Sequence, residues 1–258
     1  MTRKVDRRQA LATFGTVSLG GLLAACSGDG DGDSGSSSGS GSATTKTSTT
    51  KTSTPKSLAE RFDDASSCEL SVEQTEGPYY FDVDSIRSDI REDREGTALR
   101  LALRVRDAES CEPIENAIVD IWHCDATGVY SGFESASQGG PPGGGGRPSD
   151  DETYLRGAQA TNADGIAQFT TIYPGFYPGR TVHIHAKVHL DKQTLLTTQL
   201  YFPDAFSNEV FAAEPYASDG QRDSSNDTDG IYDESLTLTV SREGDRVLGL
   251  MNFDVRRG

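Results

Sequence analysis

The chain has 258 residues, with 40 Asp and Glu against 24 Lys and Arg, for a formal net charge of −16. That is room for one ordinary domain or two small ones. A surface of this sign repels nucleic acid and anionic lipid, which argues against both as partners of the folded part. The basic character sits at the start: Arg3, Lys4, Arg7 and Arg8 against Asp6 give residues 1–26 a charge of +3, leaving −19 for the rest. Six lysines beside so many carboxylates is the composition of a protein kept soluble in high salt.

Residues 1–26 read as addressing. Twin arginines, Arg7 and Arg8, precede the apolar run "ALATFGTVSLGGLLAA", which is short for a bilayer span and has signal-peptide flanks. The twin-arginine (Tat) route is the expected export path, and it carries folded proteins. "LAAC" at 23–26 has the form of a lipobox, in which Cys26 is lipidated and becomes the mature N-terminus; an ordinary signal peptide with a chance cysteine is the alternative. Residues 27–56 are Ser, Thr, Gly, Asp and Lys with almost nothing apolar, which makes them a disordered tether. The expected location is outside the cell, held to the membrane face by the lipid or secreted. The only membrane contact expected is that anchor.

Residues 57–258 are expected to form one domain. "SLAERFDDA" is one candidate helix. Period-two alternation dominates thereafter. "ALRLALRV" puts Leu99, Leu101, Leu103 and Val105 on one face and Arg100 and Arg104 on the other. "NAIVDIWHC", "IAQFTTI", "TVHIHAKVHL", "LTTQLYF" and "ESLTLTV" are further short strands between Gly, Pro, Asn and Asp clusters. The fold class this predicts is mainly β, an antiparallel β-sandwich of immunoglobulin or prealbumin type with little helix and long loops at 134–152 and 212–230. Three cysteines lie in this part, and an oxidising compartment favours one disulfide plus one thiol. Cys68 and Cys111, both in loop-like sequence, are the favoured pair; sequence alone leaves the pairing open.

The chemistry concentrates at "YPGRTVHIHAKVH". In this strand Val182, Ile184, Ala186 and Val188 form the apolar face, and His183, His185, Lys187 and His189 the other. Side chains two apart sit roughly 6.6 Å from each other on one face, so His183 and His185 can lean onto one metal. His189 is roughly 13 Å further along the strand and drops out. Upstream lie Tyr173 and Tyr177, and Tyr130 follows another strand behind a Gly turn. Imidazole plus phenolate suits ferric iron, a hard ion that depresses the tyrosine pKa. Zinc stays open because Asp120 and Asp125 are close to Tyr130 in sequence. Trp122 reads as core, His123 as packed at a strand end, and Tyr173 as core or rim. "SSNDTDG" would put Leu236 where an EF-hand needs glutamate, so it reads as a polar loop. Asn226-Asp227-Thr228 is a glycosylation sequon.

"TEGPYY", "PIENAIVDIWHCDATGVYSGF", "LRGAQATNADGIAQFTTIYPGFYPGRTVHIH" and "LTTQLYF" together resemble the intradiol ring-cleavage dioxygenases, over roughly residues 68–203. The order G-x-Y, Y-P-x-R, H-I-H is specific; no single piece is. The resemblance implies one Fe(III) per domain, held by Tyr130, Tyr177, His183 and His185. It implies Arg180 as the catalytic arginine, Tyr177 as the tyrosinate that leaves when substrate binds, and Gln199 as a residue near the iron. Gly77, Pro78 and Tyr79 are implied as the turn that lines the substrate pocket. The implied reaction cleaves a catechol-type ring between its hydroxyl-bearing carbons with O2, giving cis,cis-muconate-type products. The alternative is a non-catalytic sandwich module that binds aromatics, glycans or another metal. Only Pro178 and Gly179 separate Tyr177 from Arg180, a shorter link than in many relatives, which predicts an open pocket and bulkier catechols.

Overall fold

The computed structural model describes residues 57–62, 68–137 and 147–257. The leader at 1–26, with Cys26, and the tether at 27–56 lie outside the described residues.

Eight strands form two four-stranded sheets. The first sheet holds β1 (Ala98–Asp107), β4 (Ile166–Ile172), β7 (Thr239–Glu243) and β8 (Arg246–Val255), in the order β4-β1-β8-β7. The second holds β2 (Ile118–Trp122), β3 (Arg156–Ala160), β5 (His183–Leu190) and β6 (Gln193–Tyr201), in the order β3-β2-β5-β6. The sandwich is as expected, with one departure: β1 and β8 run parallel, Leu99 opposite Val247 through Asp107 opposite Val255. Strand β8, "RVLGLMNFDV", and strand β3, "RGAQA", escape a reading by strict alternation because glycine and small residues interrupt them. The helices α2 (Glu134–Ser137) and α3 (Asp204–Val210) are too short to show a helical period in sequence.

The core lies between the sheets. Leu99, Leu101, Leu103 and Val105 of β1 meet Val119 and Ile121 of β2 and Ile184, Ala186 and Val188 of β5, all fully buried. His123 continues the inward face of β2 and is buried there, its Nδ1 2.7 Å from the Cys124 carbonyl and its Nε2 2.7 Å from the Thr171 hydroxyl. Tyr173 is core as well, its hydroxyl 2.8 Å from that of Ser207. The candidate helix forms as α1 (Leu58–Phe62), and Phe62 packs on the far face of the first sheet with Ala102, Leu248 and Leu250.

Register sets the outer face of the second sheet. Arg156, Trp122, His185 and Gln199 stand in one row across β3, β2, β5 and β6. Two residues along the strands on one side of that row His183 stands beside Tyr201, and on the other side Asp120 stands beside Lys187. Residues 68–90 cross this face before the first strand. The Gln74 amide donates to the Thr197 carbonyl (2.8 Å), the Arg87 amide to the Ala158 carbonyl (3.0 Å), and the Tyr80 ring lies 4.7 Å from Trp122. Their cover desolvates Asp120, whose carboxyl is pushed up to about 6 although the Tyr80 hydroxyl donates to it (3.2 Å).

Cys68, Cys111 and Cys124 are free thiols here. The expected Cys68–Cys111 bridge is not formed in this structure, where the Cys68 thiol donates to the Asp107 carbonyl (3.4 Å). Burial and then Cys111 push the Cys68 thiol up to about 12.

Asp120 makes stability pH-dependent with a definite sign. Its folded pKa lies above the ordinary 3.8, so the folded state prefers the protonated form. The associated stability is present below pH ~4 and is lost as pH rises through ~6. Asp120→Asn is expected to flatten the melting profile over this window and to melt above wild type at pH 8, by up to ~3 kcal/mol; parallel profiles would refute this. A second expectation concerns Gly128, at φ +82°, where a Cβ would lie 2.1 Å from the Phe176 carbonyl oxygen. Gly128→Ala should cost roughly 2–4 kcal/mol, read as a lowered melting midpoint.

Candidate active site

Two turns carry the tyrosines. The first follows β2: Asp125 accepts from the amides of Thr127 (2.9 Å) and Val129 (3.0 Å), and the Asp125 amide donates to the Val129 carbonyl (2.8 Å). That closed turn delivers Tyr130, fully buried. The second turn precedes β5 and delivers Tyr177. The turns touch through backbone, since the Gly175 amide donates to the Asp125 carbonyl (2.9 Å) and a Cβ at Gly175 would lie 2.3 Å from the Ala126 carbonyl oxygen. Glycine at 128 and 175 is therefore what lets the two tyrosines converge.

They converge on the histidines. His183 Nε2 lies 3.0 Å from the Tyr177 hydroxyl, 3.4 Å from the Tyr130 hydroxyl and 3.2 Å from His185 Nε2. His183 Nδ1 faces the Thr181 carbonyl at 2.7 Å. A carbonyl only accepts, so Nδ1 carries the proton and Nε2 presents its lone pair to the cluster. His185 Nδ1 is buried without a partner. Burial, then Arg180, pulls His183 down to about 3; burial, then His183, holds His185 well below its usual value. Both imidazoles are thus neutral, the form that ligates. Burial raises both tyrosines, so without a cation they stay phenols. A trivalent ion among these four atoms reverses that preference.

The residues fit such an ion. Among the described residues no group of three His, Cys, Asp or Glu side chains could hold a metal. The donors that a metal at His183 and His185 would meet first are the phenolic oxygens of Tyr177 and Tyr130, 3.0 and 3.4 Å from His183 Nε2. Asp125 is spent on its own turn and Asp120 on Tyr80, so neither joins the cluster as a zinc site would need.

Around the cluster, Arg180 donates from Nε to Asp229 (2.9 Å) and from Nη2 to the Gln199 side-chain oxygen (2.5 Å). The Gln199 amide in turn donates to the Thr75 carbonyl (3.0 Å). Gln199 thus faces the cluster side of the sheet, opposite Leu196 and Leu200. Tyr79 lays its ring 4.7 Å from Tyr130 and 6.3 Å from Tyr177. Gly77, at φ +74°, passes so close that a Cβ would stand 3.1 Å from the His185 ring. Pro78 between them is exposed. His189 is away from the cluster, bonded to Thr194 (3.0 Å).

Three participants do not emerge from the sequence reading. Trp122 is core, as read, in the cluster on the outer face of the second sheet, where its ring stacks on His185 at 4.9 Å and 9°. Its alternation with Val119 and Ile121 is the signal that would have placed it. Arg156, also buried, donates to the Ser131 hydroxyl (2.7 Å), the Ser131 carbonyl (2.8 Å) and the Tyr79 carbonyl (2.8 Å), joining the Tyr130 turn to the Tyr79 wall. Asp229 is buried in the segment read as a polar loop. Burial opposes its charge, but the Ile231 and Thr181 amides and Arg180 outweigh it and hold the carboxyl below the usual range.

The Dioxygenase family model matches residues 75–224. A solved intradiol ring-cleavage dioxygenase from Tetranychus urticae is 34% identical with a TM-score of 0.69, covering 73% of this chain and 95% of that one. The dioxygenase domain of a dioxygenase carbohydrate-binding protein fusion from Streptomyces sp. SirexAA-E is 30% identical, with a TM-score of 0.54, covering 74% and 100%. Chlorocatechol 1,2-dioxygenase of Rhodococcus opacus is 30% identical over 132 residues, which are 44% of this chain and 46% of that protein. The chain spans less than half the length of the curated relatives it matches. With the family match over more than half its residues, and a solved relative aligned over nearly its whole length, the chain belongs to the intradiol ring-cleavage dioxygenases.

Proposed function

We propose that residues 57–258 cleave the ring of catechol-type substrates between the two hydroxyl-bearing carbons with O2, giving cis,cis-muconate-type products, with one ferric ion held by Tyr130, Tyr177, His183 and His185. The observation that carries this is the convergence of two phenolic oxygens and a second imidazole within 3.4 Å of His183 Nε2. Bound there, ferric iron would withdraw electron density from a chelated catecholate and so open its ring to O2.

The protein's own residues divide the remaining work. Tyr130 is fully enclosed beneath Tyr79, whereas Tyr177 is partly exposed in a surface turn. Tyr177 is the phenolate free to swing away and take a proton from the incoming diol. His183 and His185 cannot follow, because Thr181 fixes one ring and Trp122 stacks on the other. Arg180, braced by Asp229 and Gln199, offers positive charge where negative charge grows on the ring. Tyr79 and Tyr130 wall the ring and exclude water.

Size selection rests on the two-residue link. Pro178 and Gly179 are exposed, and a Cβ at Gly179 would meet no heavy atom within 4 Å. That open side accommodates substituted catechols larger than catechol. In this reading the Tat leader at 1–26, lipidated Cys26 and the tether at 27–56 hold the enzyme outside the cell, and Cys68 and Cys111 are oxidised there.

Iron-loaded protein should be burgundy through tyrosinate-to-iron charge transfer, take up O2 with catechols and yield a muconate. A colourless iron-replete preparation, or a semialdehyde product, would overturn the assignment. Tyr177→Phe should lower kcat by at least about 100-fold, and activity confined to unsubstituted catechol would count against the open pocket. Thiol titration of unfolded exported protein should find Cys124 reactive and Cys68 and Cys111 unreactive until reduced; three reactive thiols would refute the bridge.

A further inference from the structure

The segment after α3 (Asp204–Val210), whose sequence looks like a polar loop, grips the link between Tyr177 and His183 at each residue from Gly179 to Thr181. The Gly179 amide donates to Asp223 (3.1 Å). Arg180 Nε and the Thr181 amide both donate to one oxygen of Asp229, each at 2.9 Å. The Thr181 hydroxyl donates to the Asn226 side-chain oxygen (2.7 Å), and the Asn226 amide group donates to the Phe202 carbonyl (2.9 Å). The other oxygen of Asp229 accepts from the Ile231 amide (2.9 Å). A capping box between Ser225 and Thr228 closes the turn that presents both residues.

Two of these bonds matter for chemistry. The guanidinium is a planar fork, so engaging Nε with Asp229 and Nη2 with Gln199 fixes its plane and the direction of its remaining nitrogen. The same Asp229 oxygen fixes the Thr181 amide, while the Thr181 carbonyl orients His183 Nδ1 at 2.7 Å. One buried carboxylate therefore sets the arginine and, through one residue, the first histidine. It also supplies a buried negative partner to Arg180, 2.9 Å from its Nε.

We propose that Asp229 is a positioning residue for the ring-cleavage reaction, acting through Arg180, with Asn226 anchoring the turn that presents it. This rests on the role given to Arg180 above. It also assigns the sequon a structural use: the Asn226 side chain is committed to Thr181 and Phe202, so the folded protein does not offer it to a glycan.

The test is a double-mutant cycle of Asp229→Asn and Arg180→Met on the full chain. Asp229→Asn should lower kcat by about 10- to 100-fold, with the KM for catechol changed by less than about threefold. The metal-free protein should melt below wild type, because Arg180 loses its buried partner, but still cooperatively, and the iron stoichiometry should be unchanged. In the Arg180→Met background the same substitution should have no further effect on kcat. An equal loss in both backgrounds, or a kcat within a factor of about two of wild type, overturns the proposal and leaves the role of Arg180 standing. Wild-type turnover in Arg180→Met alone removes that role and this proposal with it. Should Asp229→Asn fail to fold, Asn226→Ala supplies the same reading: a smaller loss in kcat that vanishes in the Arg180→Met background supports the proposal, and an undiminished kcat overturns it.

Discussion

The pleat of β5 (His183–Leu190) is the constraint on which everything else depends. Successive side chains of a strand must point to opposite faces. Ile184, Ala186 and Val188 are locked into the core between the sheets, so His183 and His185 have no freedom to turn away from the outer face. A shift of register by one residue would bury the imidazoles in hydrocarbon and expose the aliphatic row. Core stability and the geometry of the site are one and the same pairing. This is why two histidines at i, i+2 serve here where a loop would leave both rings mobile.

A strand face alone would leave the donors in water, where imidazoles protonate near neutrality and tyrosines hold their ordinary pKa. The cover supplied by residues 68–90 and by the two tyrosine turns changes this. It buries His183 and His185 as neutral bases and raises the cost of a free phenolate. The environment is thus poor for any charge except one that all four atoms share. Trp122 and Arg156 belong to the same enclosure, the first flat against His185 and the second bridging the Tyr130 turn to Tyr79.

Strand periodicity and residue chemistry made much of this legible in sequence. Alternation around Leu99–Val105 and Ile184–Val188 identified the sandwich and the facing of the two histidines. Tyr130 and Tyr177, singled out through the family likeness, lie 3.4 and 3.0 Å from His183 Nε2, and Gln199 is bonded to Arg180. What stayed hidden is long-range pairing. Nothing local says that β8 lies parallel to β1, because that contact joins residues about 150 positions apart (Leu99 to Val247). The importance of Asp229 is invisible for the same reason: it meets Arg180 across 49 residues. Trp122 is core, as read, and its place in the two-residue period puts it in the outer-face cluster beside His185.

The strap across the outer face has a consequence for where the domain begins. Strand counting would start it at Ala98, yet Gly77, Tyr79 and Thr75 wall the site, and Phe62 seals the opposite sheet. The described residues ahead of the first strand therefore touch both sheets. A fragment trimmed to the strands would keep every proposed ligand and lose the enclosure that makes them ligands. A fusion on the N-terminal side would have to join ahead of Ser57 to leave both the Phe62 seal and the Gly77–Tyr79 wall in place.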